Sequence, residues 1–484
     1  MNAQCKALPE TRGRDACAWR NLLITGLWLR AMVACLVLSP PAALAQLVTP
    51  VGQVDAPVVA SGPAASTGRA TLAELIAFAL AHNPELAAAA LDGEGAAART
   101  RGAAAARYPR LAVEGGYTNY GDDLRLVAAR YNGELGVFGA NVVTADLVLR
   151  VPVYTGGRLS AELQAAELLE VSAGQRLARS RGDLVYNVSS LYFTQLAQMR
   201  LIDALAASRD ALQSQLTRVQ ALIDERKAAP VDALRTEVRL ADARQRLLRE
   251  QNNLDVLRLS LLNLLGDRAG ALQITLDDAL VAPAMESRDP RTLTELALAR
   301  RPDIAAARTE LQAQSARIEA ARAGNSPSVN LLAAGGSRAM LSPSQQPRDT
   351  QAQDTTYRVG VVFEIPIFDS GRTSARVAEE NAKLAAQRER LDKLSMQVRL
   401  DIETAHGSLS SALERITSAS RAIALARENL RIEQEKYALG RGTAFDVLDA
   451  QSALTDTQAA QIRALADANT AAAQLAWASG ENLP

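Results

Sequence analysis

The sequence predicts a mainly α-helical chain with a small β part. It reads as a tandem-repeat protomer of long coiled-coil helices forming an α-barrel, with four strands contributing to a trimeric, 12-strand transmembrane β-barrel. Three observations predict this. Hydrophobic residues make up 48% of the chain but aromatics only 4%, so the apolar content rests on Ala, Leu and Val. Running alongside Arg, Gln and Glu, these favour helix over bulky mixed sheets. Proline and glycine landmarks recur in the same order in two halves, and each half carries a pair of segments alternating apolar and polar. Lys+Arg and Asp+Glu both number 53, leaving no basic footprint, so nucleic acid is excluded as a partner.

Residues 1–45 read as a signal peptide. Lys6, Arg12, Arg14, Arg20 and Arg30 supply positive charge, Ala31 to Leu38 an apolar core, and Ala43-Leu44-Ala45 a small-x-small cleavage site before Gln46. Arg30 divides the apolar run, and neither piece reaches the roughly 20 residues needed to span a bilayer. This favours cleavage over a membrane anchor. Met32-Val33-Ala34-Cys35 resembles a lipoprotein box, so lipidation of Cys35 is a minor alternative. Cys5, Cys17 and Cys35 are the only cysteines. The mature chain therefore has neither disulfides nor thiol chemistry. It keeps 48 basic and 51 acidic residues, a net charge of −3. Residues 46–70 lack periodicity and read as a linker.

The remainder is a repeat. Thr71-Leu72-Ala73-Glu74-Leu75 matches Thr292-Leu293-Thr294-Glu295-Leu296 at an offset of 221, and Asn83-Pro84 matches Arg301-Pro302 at an offset of 218. Val151-Pro152-Val153-Tyr154-Thr155-Gly156-Gly157-Arg158 matches Ile365-Pro366-Ile367-Phe368-Asp369-Ser370-Gly371-Arg372 at an offset of 214, and Gly266 and Gly480 keep it. The difference sits in a loop between Pro109 and Pro152. The first repeat spans 71–266, an inter-repeat linker 267–291, the second repeat 292–480, and a tail 481–484.

Each repeat opens with a short helix that stops at the X-Pro step, where Pro restarts a second helix at its first turn. A very long helix begins near Gly157 or Gly371 and runs about 67 residues, roughly 100 Å. The chain turns at Ala228-Ala229-Pro230 or Gly440-Arg441-Gly442, and a helix of about 35 residues returns to Gly266 or Gly480. Stacked end to end, the second and last helices nearly match the long one. Helices this long need lateral neighbours.

Between the second and third helices lie the alternating segments. Val359, Val361, Phe363 and Ile365 fall on one face, with Arg358 and Glu364 on the other. In the first half Val143, Ala145, Leu147, Leu149, Val151 and Val153 alternate with Thr144, Asp146 and Arg150. Period two with one apolar face is a strand, and strands of about ten residues suit a membrane β-barrel whose lipid face is apolar. Polar or Gly-rich connections at 121–141 and 338–354 fit loops at its outer rim. Four strands cannot close a barrel and open edges are not tolerated in lipid. Three copies supply 12 strands, whereas two copies leave too narrow an interior.

This plan resembles the TolC-type outer-membrane efflux and secretion channel family, over about residues 70–480. The resemblance rests on the duplication and on the two strand-to-helix junctions. It rests also on Tyr437-Ala438-Leu439-Gly440 leading into Phe445-Asp446-Val447-Leu448-Asp449-Ala450. It implies a homotrimer whose 12-strand barrel sits in outer-membrane lipid and whose α-helical tunnel crosses the periplasm. That duct serves a tripartite efflux pump or a type I secretion system. It opens when docked to a periplasmic adaptor (membrane fusion) protein and an inner-membrane ABC or proton-driven transporter, and it catalyses no reaction.

The resemblance also implies a gate at the helix tips. Asp446 and Asp449 match the aspartates that ring the entrance, Tyr437 matches a bridging tyrosine, and Asp232 matches that tyrosine's partner. The family pattern has an Arg four positions before the first Asp. That position is Gly442 here, and Arg441 sits one earlier. Read from the residues alone, Asp446 and Asp449 share a helix face three apart and also favour the positive helix N-terminus. A threefold axis would gather six carboxylates, attracting cations and favouring protonation by mutual repulsion.

No cofactor is expected. His82 and His406 are the only histidines and are far apart, so no His/Cys metal site is available. No Ser, His and Asp grouping suggests a nucleophile. The competing reading is a periplasmic coiled-coil adaptor or scaffold of an export system. It is disfavoured by two full repeats with strands in each.

Overall fold

The computed structural model describes residues 68–129, 133–267, 274–276, 278–286, 288–348 and 350–481. The expected signal peptide, Cys35 and nearly all of the 46–70 linker lie outside the described residues. The described residues belong to a single compact unit, 67–484.

The chain runs β1 (Gly68–Ala70), α1 (Leu72–His82), α2 (Pro84–Ala105), β2 (Arg110–Arg125), β3 (Phe138–Tyr154), α3 (Arg158–Asp224), α4 (Pro230–Leu265), β4 (Ile274–Leu276), α5 (Pro290–Arg300), α6 (Pro302–Arg322), β5 (Ser328–Leu341), β6 (Gln353–Glu364), α7 (Arg372–Ala438) and α8 (Ala444–Ser479). Local chemistry sets the helix ends. Thr71 and Glu74 form a capping box at α1. Asn83 accepts from the Leu86 N–H at 2.9 Å to cap α2, whose first residue is Pro84. Both α3 and α7 are 67 residues long, and both α4 and α8 are 36.

The shorter helices stack beside the long ones. Both α2 and α4 pack along α3. Both α6 and α8 pack along α7 and also against α3, which joins the halves. Specific groups seal the breaks. Asn83 Nδ2 donates to the Leu264 carbonyl at 2.8 Å, tying the end of α4 to the start of α2. In the second half Arg301 Nη1 donates to the Ala478 carbonyl at 3.4 Å. The two cores occupy corresponding positions. Leu75, Ala79, Leu86, Leu184, Val188 and Leu261 are buried in one. Leu293, Ala297, Ile304, Val398, Ile402 and Leu475 are buried in the other. No described helix is long and apolar enough to cross a membrane.

A buried ion cluster holds the second junction. Arg301 is 2% exposed and pairs with Asp303 at 2.7 Å and Asp401 at 3.0 Å. Arg179 lies over the Trp477 ring at 4.1 Å, and the indole donates to Asp183 at 2.6 Å. Burial pushes the Asp303 carboxyl up, but the hydrogen bond and charge of Arg301 outweigh it and hold Asp303 below the usual carboxylate range.

The sheet runs β2-β3-β5-β6, antiparallel throughout. Its strands have 16, 17, 14 and 12 residues, longer than the ten or so expected. Parts of 121–141 and 338–354 that read as loops continue the ladder, because a paired neighbour supplies hydrogen bonds that polar and Gly-rich sequence would otherwise find in water. The register shifts between Asn119 and Leu124. Beyond it, Leu126, Val137 and Met340 form a small apolar cluster.

Register assigns the faces. Val359, Ala333, Leu149 and Leu111 lie in one row, and Tyr357, Gly335, Leu147 and Val113 in the next row on that face. The opposite face carries the row Gly360, Leu332, Arg150, Arg110 and the row Thr356, Gly336, Asp146, Glu114. Val359, Val361 and Phe363 share the apolar face and Arg358 and Glu364 the charged one, as the alternation predicts. Ile365 falls just past the end of β6.

Candidate functional site

The tips of the two helical hairpins lie at the far end from the sheet. In the second, α7 ends at Ala438 and the chain turns through Gly440, whose φ is +71°. The Arg441 N–H then donates to the Lys436 carbonyl at 2.9 Å. This fold-back explains the glycine where the family pattern has arginine. A Cβ at Gly442 would stand 3.1 Å from Lys436 Cβ and 3.2 Å from the Tyr437 nitrogen. Arg441, one residue earlier, is exposed, and among the described residues it makes no ion pair.

Asp446 is occupied locally. Thr443 is the N-cap of α8, and Asp446 completes a capping box with it. The Thr443 N–H donates to Asp446 Oδ2 at 3.0 Å and the Thr443 hydroxyl at 2.7 Å. These bonds from the Thr443 side chain and backbone hold the Asp446 carboxyl below its ordinary range. Asp449, one turn on, is exposed.

The first tip differs at the matching positions. Where the second repeat has Thr443, the first has Ala229, which offers no hydroxyl, and α4 has no side-chain cap. Asp232 therefore does not share the bonding that engages Asp446. Its charge acts on Tyr437 instead. The Tyr437 ring packs against the cluster of Leu430, Val447, Ala450 and Leu454, and its buried hydroxyl has no hydrogen-bond partner among the described residues. Burial and then the nearby Asp232 carboxylate push its pKa above the ordinary tyrosine value. The fold thus brings Asp232 of the first hairpin and Tyr437 of the second into electrostatic reach within one protomer, while Asp446 and Asp449 sit on the same hairpin as Tyr437.

Sequence reasoning missed the bonds that lock the two hairpins together. Leu448 of α8 packs with Leu212, Leu216 and Leu240 of the first hairpin. The Thr455 hydroxyl donates to Ser208 Oγ at 3.0 Å in a buried contact between α8 and α3. Neither residue lies in a motif. Their shared signal is a small hydroxyl on a helix face otherwise lined by Leu and Ala.

Long paired helices that end in a four-stranded sheet with one apolar and one charged face define a membrane-embedded channel protein. The family model described as "Outer membrane efflux protein" matches residues 75–267 and 293–481. The chain belongs to that family, whose members are outer-membrane channel proteins. It is 25% identical over 314 residues to the cobalt-zinc-cadmium resistance protein CzcC of Cupriavidus metallidurans, covering 64% of this chain and 71% of that one. It is 22% identical over 384 residues to the outer membrane protein TolC of Escherichia coli, covering 77% and 74%. The solved structure of the outer membrane protein VceC from Vibrio cholerae superposes with a TM-score of 0.70 at 21% identity, covering 85% of this chain and 96% of that one. The chain is therefore an outer-membrane efflux or secretion channel, its helical tunnel on the periplasmic side. The adaptor reading finds no support in these matches.

Proposed function

We propose that the chain is the passive exit duct of a tripartite efflux pump or type I secretion system, working as a homotrimer and catalysing no reaction. One observation carries this reading: the sheet is open at both edges, at β2 and at β6, while one face is apolar and the other charged. The helical layers are open on the same two sides. α2 and α4 flank α3 on one side, and α7 is outermost on the other. Leu234, Val238 and Leu248 on α4 and Met396, Leu400 and Leu425 on α7 are exposed. Each layer thus offers a lateral face to a neighbouring copy, and three copies close 12 strands in outer-membrane lipid.

At the tips, Asp446 and Asp449 would ring the entrance, and Tyr437 with Asp232 would hold it closed. Arg441, at the same turn, is the exposed cation available to a neighbouring hairpin. A periplasmic adaptor and an inner-membrane ABC or proton-driven transporter would open it. The names of the relatives include cobalt-zinc-cadmium resistance, protease secretion and pyoverdine export. That spread supports cargo choice by the transporter rather than by the duct.

Light scattering of the mature protein in detergent, paired with single-channel recording, tests the assembly. The expected result is a stable particle of three copies that conducts. A well-folded conducting monomer would overturn it.

A further inference from the structure

A recess of about 970 Å³ lies where the sheet meets the helices. Its charged lining is unbalanced: Arg110, Arg150, Arg158 and Arg372 stand against Glu162 and Glu364. Arg110 and Arg150 are directly opposite in the β2-β3 ladder, an arrangement that like charges disfavour. Arg150 is held by Glu114 at 2.5 Å and Arg158 by Glu162 at 3.0 Å. Arg110 and Arg372 make no ion pair among the described residues. One row outward on this face lies Arg358, and the row beyond it carries Glu114 and Asp146, where the surface turns acidic.

The helix ends add to the imbalance. Both α3 and α7 start at this recess, each with an arginine at its first position and a glycine N-cap that offers no side-chain bond. In α7, Asp369 accepts from the Gly371 and Thr373 N–H groups at 3.0 and 2.8 Å. The matching residue before α3 is Thr155, which is neutral, so that positive helix end has no carboxylate facing it.

The recess belongs to the charged face. Arg110, Arg150 and Glu364 lie opposite the face of Leu111, Leu149 and Val359. On the channel reading, which this inference rests on, that surface is the lumen. We propose that the junction of barrel and tunnel is an anion-binding throat, recognising phosphate- or carboxylate-bearing groups of cargo in transit. With Arg150 and Arg158 each paired, Arg110 and Arg372 against Glu364 leave one surplus positive charge per protomer, three around a threefold axis. The guanidinium forks suit planar or tetrahedral oxyanions.

The test is single-channel recording of the mature protein in neutral phosphatidylcholine bilayers, with inorganic triphosphate added from the outer-face side. Triphosphate should block the wild-type current in a voltage-dependent way. The double variant Arg110→Gln, Arg372→Gln should keep its unblocked conductance but need about tenfold more triphosphate, as the loss of charge-assisted hydrogen bonds implies. Wild type that conducts without block, or a double variant blocked as strongly as wild type, overturns the throat. Should the double variant not insert, Arg372→Gln alone carries the test, because removing a cation from a helix N-terminus favours that helix. It should weaken block about threefold, and unchanged block counts against the proposal. No conductance from wild type under any condition would instead sink the channel reading.

Discussion

The face assignment can be tested by moving an arginine one residue along β6. On the apolar face, the rows from Val143 to Val153 of β3 span about ten rises of about 3.4 Å, about 34 Å along the strand. A tilt of about 40° reduces this to about 26 Å, close to the apolar belt of an outer-membrane barrel. Val359 lies four residues from Phe363 at the inner rim, a depth of about 10 Å, near the middle of that belt. Val361 lies only about 5 Å deep by the same geometry. The full penalty therefore falls at Val359 rather than at Val361. Val359→Arg should cost about 2–4 kcal/mol per copy, roughly a 30- to 1000-fold loss in the folding equilibrium, and three times that energy in a trimer. Its neighbour Gly360 faces the other way, and a Cβ there meets nothing within 4 Å. Gly360→Arg should therefore change stability by about 0.5 kcal/mol or less. Both variants, folded into phosphatidylcholine vesicles and titrated with urea, can be followed by the shift in gel mobility on heating. Equal losses, or a larger loss for Gly360→Arg, would refute the register.

Arg301→Ala should destabilise the chain by about 3–5 kcal/mol, because it strands the Asp303 and Asp401 carboxylates in a buried site; thermal melting at pH 7 measures this. Since Asp303 has its pKa lowered by folding, its stabilising contribution is present above the ordinary aspartate range and is lost as pH falls through the lower, folded value. Wild type should therefore lose melting temperature in acid faster than Arg301→Ala, and parallel profiles would contradict the pairing. At the tip, Asp446→Asn with Asp449→Asn should remove block by trivalent cations added from the tunnel side while keeping the oxygen that Thr443 bonds, so trimers should persist; block as strong as wild type would leave Asp446 as a helix cap only. Tyr437→Phe with Asp232→Ala should raise resting conductance in planar bilayers by shifting the population toward the open tip, and unchanged conductance would remove these two from the gate.

The helix ends were legible because they depend on neighbours in the chain. Pro84 and Pro302 restart helices wherever they fall, and Gly266 and Gly480 end helices with φ near +77° and +72°. Strand alternation was legible for the same local reason. The outer third of β2, from Gly121 to Arg125, was not, since its mostly polar residues form strand only because β3 is alongside. At the tip, Asp446 could be picked out by motif and its cap by the Thr443 spacing. The difference between Asp446 and Asp232 depends on Thr443 standing where the first repeat has Ala229, a contrast visible only once the repeats are aligned residue by residue.

The sequence by itself determined the duplicated plan, the helix lengths and the presence of a one-sided sheet, because each follows from periodicity and from the fixed backbone preferences of Pro and Gly. Only the tertiary structure decided which charges meet. Arg301 finds Asp401 a hundred residues away, Thr455 finds Ser208 across two hairpins, and Arg110 comes to rest opposite Arg150. Such pairings depend on the register of strands and the axial offset of long helices. A shift of one residue in a strand sends every side chain to the other face, and that offset is set by the summed packing of both cores rather than by any local run of sequence.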